Sequence, residues 1–260
     1  NNLLVQRGSY RHLWSTRLSS NSDHLDSLGQ TKQILSNYEG ELEQNDLSFK
    51  DDCIRTWFYV KDIDYNYQGV VEARNQFFDE LGLTPETHYV SSTGIEGREA
   101  NPKTSVMMDA YSVGGLSQEQ IRFLEAPTHL NPTHEYGVTF ERGTSVDYGD
   151  RRHVLISGTA SIDNKGEILH RNDVGKQTAR AVENIIALLN DTHLSMQDVT
   201  HMIVYLRDLS DISTVKHFFD ENHQDIPKVF VLAPVCRPGW LVEIECMAIA
   251  SVENPTYLAF

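Results

Sequence analysis

The feature that most narrows the fold is that the chain is written twice. Arg11-His12-Leu13-Trp14 returns as Arg152-His153-Val154-Leu155, and Leu47-Ser48-Phe49-Lys50-Asp51 as Leu194-Ser195-Met196-Gln197-Asp198. Tyr59-Val60-Lys61-Asp62 returns as Tyr205-Leu206-Arg207-Asp208, and Phe77-Phe78-Asp79-Glu80 as Phe218-Phe219-Asp220-Glu221. Chance matches do not keep their order and spacing, so the chain reads as two copies of one unit. The expected boundaries are 1–113 for the first unit, 114–137 for a connector and 138–260 for the second unit.

Each copy reads as strand–strand–helix–strand–helix–strand–strand. In the second, His153–Ile156 is an apolar strand, and Asp163-Asn164-Lys165-Gly166 turns it into another at Glu167–His170. Asp173 is placed to cap a helix whose stripe is Val174, Ala181, Ile185 and Leu188. A strand over Met202–Leu206, a helix marked by Ile212, Val215, Phe218 and Phe219, and strands at Lys228–Pro234 and Leu241–Ala250 complete the unit. An edge strand is expected at Gly137–Phe140. The predicted class is α+β: two tandem units, each a mixed β-sheet with two helices packed on one face, sharing one continuous sheet. The helix-free face then has to be covered by the other unit or by other chains, so a homo-oligomer is expected.

The last strand is where the copies part. Along Leu241–Ala250, Val242, Ile244, Cys246, Ala248 and Ala250 form an apolar set, while Glu243 and Glu245 share the other face with Leu241, Met247 and Ile249. In the first copy Val106, Met108 and Ala110 keep the apolar set, Asp109 matches Glu245, and Met107 replaces Glu243. One working site per chain follows, located in the second unit. Patterning alone leaves a solvated sheet edge open as the alternative.

A formal charge of −15 excludes nucleic acid as the expected partner, because phosphate binding needs a concentrated basic surface. No apolar run approaches the ~20 residues that span a bilayer, so no membrane association is expected. Three cysteines without CxxC spacing fit a reducing cytoplasm. Eleven scattered histidines show no ligand spacing, and neither metal nor cofactor is expected. No signal-peptide pattern opens the chain, and Asn1 in place of an initiator Met fits a processed or truncated product.

Leu155-Ile156-Ser157-Gly158-Thr159, Tyr205-Leu206-Arg207-Asp208-Leu209 and Val242-Glu243-Ile244-Glu245 resemble the RidA/YjgF superfamily (the endoribonuclease L-PSP family). The resemblance implies a chorismate-mutase-like unit, assembly as trimers around a central barrel, and ligand pockets between neighbouring units. RidA-type deaminases hydrolyse enamine and imine intermediates, using an arginine for the substrate carboxylate and a glutamate near the water. Glu243 matches that glutamate, and Lys228 stands where the arginine is expected. A narrower likeness is to chorismatases, through Cys236-Arg237-Pro238 followed by Leu241-Val242-Glu243-Ile244-Glu245. Ser157-Gly158-Thr159-Ala160-Ser161-Ile162, and Tyr136-Gly137 followed by Phe140-Glu141-Arg142, point the same way.

That likeness implies hydrolysis of the enolpyruvyl ether of chorismate or a related carboxylate, with release of pyruvate. The substrate carboxylates call for guanidinium partners; Arg237, Arg142 and then Arg98 are the candidates. Glu243 is the candidate acid, with Glu245 beside it raising its proton affinity. Cys236, Lys228, Gly158, Thr159 and Tyr136 complete the expected binding set. The blander readings are that Arg237 and Arg142 are surface charges and Cys236 a small buried residue. An imine deaminase and a non-catalytic ligand-binding protein remain alternatives, and an endoribonuclease is the one least suited to the acidic composition.

Overall fold

The computed structural model describes residues 1–22 and 24–260, with the Tyr136 side chain outside the described part. Strands β1 (Asn2–Arg7), β2 (Tyr10–Ser19), β3 (Cys53–Val60), β4 (Ser91–Glu96) and β5 (Val106–Gly114) form a first sheet in the order β1-β2-β5-β3-β4. Helices α1 (Ser27–Glu43), α2 (Phe49–Asp52) and α3 (Ile63–Glu80) belong to this half.

The second sheet contains β6 (Ile121–Phe123), β7 (Gly143–Asp147), β8 (Arg151–Ala160), β9 (Val199–Leu206), β10 (Lys228–Leu232) and β11 (Val242–Ser251). Its order is β10-β9-β11-β8-β7-β6, with α4 (Val174–Asp191) and α5 (Ile212–Asn222) as its helices. With β6 set aside, the two sheets have the same strand order, and each has one parallel pair, β3 with β4 and β9 with β10. The repeated segments fall at matching places. Ser48 and Ser195 each accept a bond that starts a helical turn, and Tyr59 and Tyr205 close equivalent central strands.

Local chemistry explains the helix ends. Asp26 accepts from the Gly29 N–H and Asp173 from the Lys176 N–H, satisfying donors that the first turn leaves open. Beneath the helices, α4 packs Ala181, Ile185, Leu188 and Leu189 against Val204, Val242, Ile244 and Ala248. In the first half Ile34, Leu35, Tyr38 and Leu42 of α1 meet Phe58, Met108 and Ala110. A third cluster, with Tyr10, Ile54, Tyr111 and Val113 from one half and Val146, Tyr148 and Leu155 from the other, lies between the halves. Part of the area left bare by the helices is thus buried within this one chain.

The structure corrects three sequence expectations. The sheets are not continuous: among the described residues the strand pairing between them is confined to isolated bridges, Ser91 with Glu141 and Ile95 with Val235. Glu167–His170 forms no strand, because the turn at Asp163–Gly166 is followed by one bridge, Ile162 with Ile168, and the chain then leaves the sheet. Gly137–Phe140 is irregular; the edge strand is Ile121–Phe123, inside the expected connector, paired with Gly143–Asp147. Among the described residues no helix is long and apolar enough to cross a membrane.

Candidate active site

A cleft of about 650 Å³ lies where the sheets meet, and Glu243 opens onto it. Glu243 pairs with Ala160 of β8 and Tyr205 of β9, in the centre of the second sheet. The equivalent register in the first sheet sets Met107 opposite Tyr59 and Asp109 opposite Trp57. The copy-to-copy match therefore holds in three dimensions: Met107 occupies the place of Glu243, and Asp109 that of Glu245.

Glu243 is only 4% exposed, and among the described residues no hydrogen-bond donor reaches its carboxylate. Burial first, and the neighbouring Glu245 charge second, push its carboxyl up to about 8, against the pull of Arg55 and Arg142. The group accordingly carries its proton at neutral pH. Gly158 on β8 makes room for it: a Cβ there would lie 2.9 Å from Glu243 Cδ and 3.0 Å from Thr93 Cγ2.

Glu245 has a different setting. Its carboxylate accepts from Arg55 Nη2 at 2.7 Å, Thr93 Oγ1 at 2.5 Å, Trp57 Nε1 at 3.0 Å and Tyr205 OH at 3.1 Å. Arg55, itself 2% exposed, also donates to Ser157 Oγ at 2.9 Å and to Thr93 Oγ1. Three of these four donors come from the first half. The Glu245 carboxylate is thus fully engaged in bonds that join the halves, whereas Glu243 faces the cleft with its carboxyl pushed up by burial.

The other predicted residues divide. Arg142, Arg237, Cys236 and Gly158 line the cleft with Glu243. Arg142 is 8% exposed and donates Nε and Nη2 to the Asn131 carbonyl at 3.3 and 2.8 Å. Arg237 rests 4.9 Å from the Trp240 ring. Burial pushes the Cys236 thiol up to about 12, so it stays neutral and is no ready nucleophile.

Thr159 is buried beside the cleft, and its hydroxyl donates to the Ser157 carbonyl at 2.8 Å. Tyr136 has its backbone in the turn Thr133–Tyr136, and its side chain lies outside the described residues. Arg98 does not reach the cleft: it is exposed and paired with Asp62 at 2.9 Å and Glu96 at 3.5 Å. Lys228 does not reach it either, because β10 is the far edge strand of its sheet. Its Nζ donates to the Gln224 carbonyl at 3.3 Å and lies 5.7 Å from the Phe219 ring. The strand facing Glu243 is β4 of the other half. By register, Ser92 opposite Thr56 is there the counterpart of Lys228 opposite Met202. Lys228 therefore does not line the cleft of Glu243 within this chain.

The residue missed from the sequence is Arg74. It sits on α3, lines the cleft, and is 2% exposed, and among the described residues its Nε and Nη2 have no hydrogen-bond partner. Burying a guanidinium without a counter-ion is costly, so the arrangement suits an anionic ligand. The signal was present: Arg74 interrupts the buried stripe of Val70 and Phe78 at four-residue spacing. Arg55, within the otherwise apolar Cys53–Val60, was a second such interruption.

Comparison with known proteins fits this geometry. Residues 145–250 match the family model described as endoribonuclease L-PSP. A RutC family protein of Pyrococcus abyssi is 35% identical over 101 residues, which are 38% of this chain and 79% of the relative. A chorismatase of Streptomyces rapamycinicus is 30% identical over 213 residues, 74% of this chain, and the match spans 62% of the relative's length. A chorismatase crystal structure matches with a TM-score of 0.77 at 21% identity, covering 95% of this chain and 77% of that one, so the fold is shared. The chain belongs to the RidA/YjgF family of endoribonuclease L-PSP and RutC proteins, and within it is similar to chorismatases.

Proposed function

We propose that the chain hydrolyses the enolpyruvyl ether of chorismate or a closely related dicarboxylate, releasing pyruvate. The observation that carries this reading is a buried Glu243, its carboxyl pushed up to about 8 by burial, in one cleft with three arginines. A dianionic substrate needs guanidinium partners in a site of low dielectric. Arg74 offers its unpartnered Nε and Nη2 to one carboxylate, and Arg142 and Arg237 border the space for the other.

Glu243 then gives its proton to the methylene carbon of the enol ether, leaving an oxocarbenium ion that its new negative charge stabilises. Water adds to the ether-bearing carbon of that ion and returns a proton to Glu243; the resulting hemiketal passes its hydroxyl proton to the ring oxygen as the C–O bond to the ring breaks, giving pyruvate and the ring alcohol. The similarity to chorismatases supports this choice of substrate. The alternative, imine deamination, would call for a guanidinium on the strand opposite Glu243, where Ser92 stands.

The test is pyruvate release from chorismate, followed against pH. An acid with a pKa near 8 is active in its protonated form, so the rate should be level below that pH and fall above it. Glu243→Gln keeps the shape and removes the proton, and should lower kcat ~100- to 10,000-fold. The same shift bears on stability: the folded chain holds the proton to higher pH than the unfolded one, so wild type loses stability as pH rises from about 4.5 to 8. Glu243→Gln should lack that slope. Absence of pyruvate release from wild type, or full activity of Glu243→Gln, would remove the proposal.

A further inference from the structure

Two cavities meet at Phe140. Its ring lines the cleft of Glu243 and also a second cavity of about 380 Å³ bordered by Tyr89, Leu130 and Thr133. Two guanidinium groups rest against the ring, with Cζ of Arg74 5.8 Å and Cζ of Arg142 5.5 Å from its centroid. Both distances lie within the ~6 Å over which a cation is attracted to an aromatic face.

The segment carrying the ring is pinned at several points. The Thr133 hydroxyl donates to the Phe140 carbonyl at 2.6 Å and accepts from its N–H at 3.3 Å. Thr139 Oγ1 donates to Asn75 Oδ1 at 2.7 Å, and Asn75 Nδ2 donates to the Gly137 carbonyl at 3.2 Å, fastening the segment to α3. Asn75 follows Arg74 directly, so the helix that carries one guanidinium also fixes the ring against which it lies.

We infer that Phe140 is the specificity-determining wall of this site: it spaces Arg74 and Arg142 for a substrate with a single six-membered ring and, with Arg142, stands between the cleft and the second cavity. This rests on the reading of the cleft as an enolpyruvyl-ether site. The ring offers no hydrogen bond, so it discriminates by volume and by holding the two cations, not by recognising a functional group. Removing it takes away part of a wall common to the cleft and the second cavity, leaving Arg142 as the rest of it.

The probes are two enolpyruvyl ethers, one of a hydroxybenzoate and one of a hydroxynaphthoate, titrated calorimetrically so that turnover does not interfere. The proteins are Glu243→Gln and the double variant Glu243→Gln/Phe140→Ala. The single variant should prefer the one-ring ether. In the double variant the one-ring ether should bind ~10-fold more weakly and the two-ring ether more tightly, inverting the preference. Misfolding cannot produce tighter binding of the larger ligand. If melting shows that Phe140→Ala does not fold, Phe140→Leu takes its place, with a smaller shift in the same direction. An unchanged preference in the folded variant overturns the inference. Pyruvate release by the wild type from the one-ring ether separately tests the underlying reading; if it fails while the binding preference inverts, the wall stands and the reaction does not.

Discussion

Gly158→Ala isolates the placement of the acid from its chemistry. Gly158 does not use the left-handed backbone region, so alanine can adopt its conformation, and the conflict comes from the side chain alone. The added Cβ would stand 2.9 Å from Glu243 Cδ and 3.0 Å from Thr93 Cγ2, and closer still to Glu243 Oε1. Carbon atoms settle at ~3.5–4.0 Å, so the carboxyl has to retreat by about 1 Å. A displacement of that size at a reacting group costs on the order of 100-fold in rate. Overpacking adds a stability cost of about 1–3 kcal/mol, visible as a lower Tm. The assay is pyruvate release from chorismate, with kcat and KM separated; kcat should carry the loss, because the arginines proposed to bind the carboxylates are untouched. Gly175→Ala on α4 is the control: its nearest neighbour would be Thr214 Cγ2 at 3.5 Å, an ordinary contact, and a helical glycine replaced by alanine gains about 1 kcal/mol. A folded Gly158→Ala protein with kcat within about threefold of wild type would refute the reasoning, since the acid would then not be the group that Gly158 accommodates.

Two further outcomes are expected. Glu245→Gln leaves Arg55 charged, 2% exposed and without its counter-ion, so stability should fall by ~3–5 kcal/mol in denaturant titration; a variant as stable as wild type would show that the pair does not join the halves. Self-association, with a trimer expected, should bury the edge strand β10, where Val229 and Leu232 are 54% and 57% exposed. Light scattering should give a multiple of 29.6 kDa that Leu232→Lys reduces, and a monomeric wild type at micromolar concentration would contradict it.

Much of this architecture could be read from the chain because duplication supplies an internal control. The contrast of Glu243 with Met107 needs no second protein, and the register beside Tyr205 and Tyr59 reproduces it. Asp173 caps its helix as the local pattern implies. What escaped was whatever depends on how the halves sit together. Lys228 and Ser92 are equivalent in the fold, but only β4 faces Glu243, and no periodicity within one unit reports which edge strand meets the other sheet. Arg74 escaped for a related reason: a lone arginine on an apolar helix stripe is ambiguous until the cavity above it is known. Arg98 was chosen from a short motif, and local acids claimed it first.

The four donors around Glu245 bear on how activity returns after unfolding. Most of the apolar packing under the helices is made within each half, with Ile95 and Cys236 crossing between them. The charge that raises the proton affinity of Glu243, by contrast, is held in place by Arg55, Trp57 and Thr93 across the boundary. Far-ultraviolet circular dichroism should therefore recover before catalysis does, because docking of the halves is a later event than their internal folding. Under the proposed reaction, pyruvate release is a clock for docking. It also means that the half lacking a counterpart of Glu243 takes part in the site, since its Arg55 both holds Glu245 and acts on the Glu243 carboxyl.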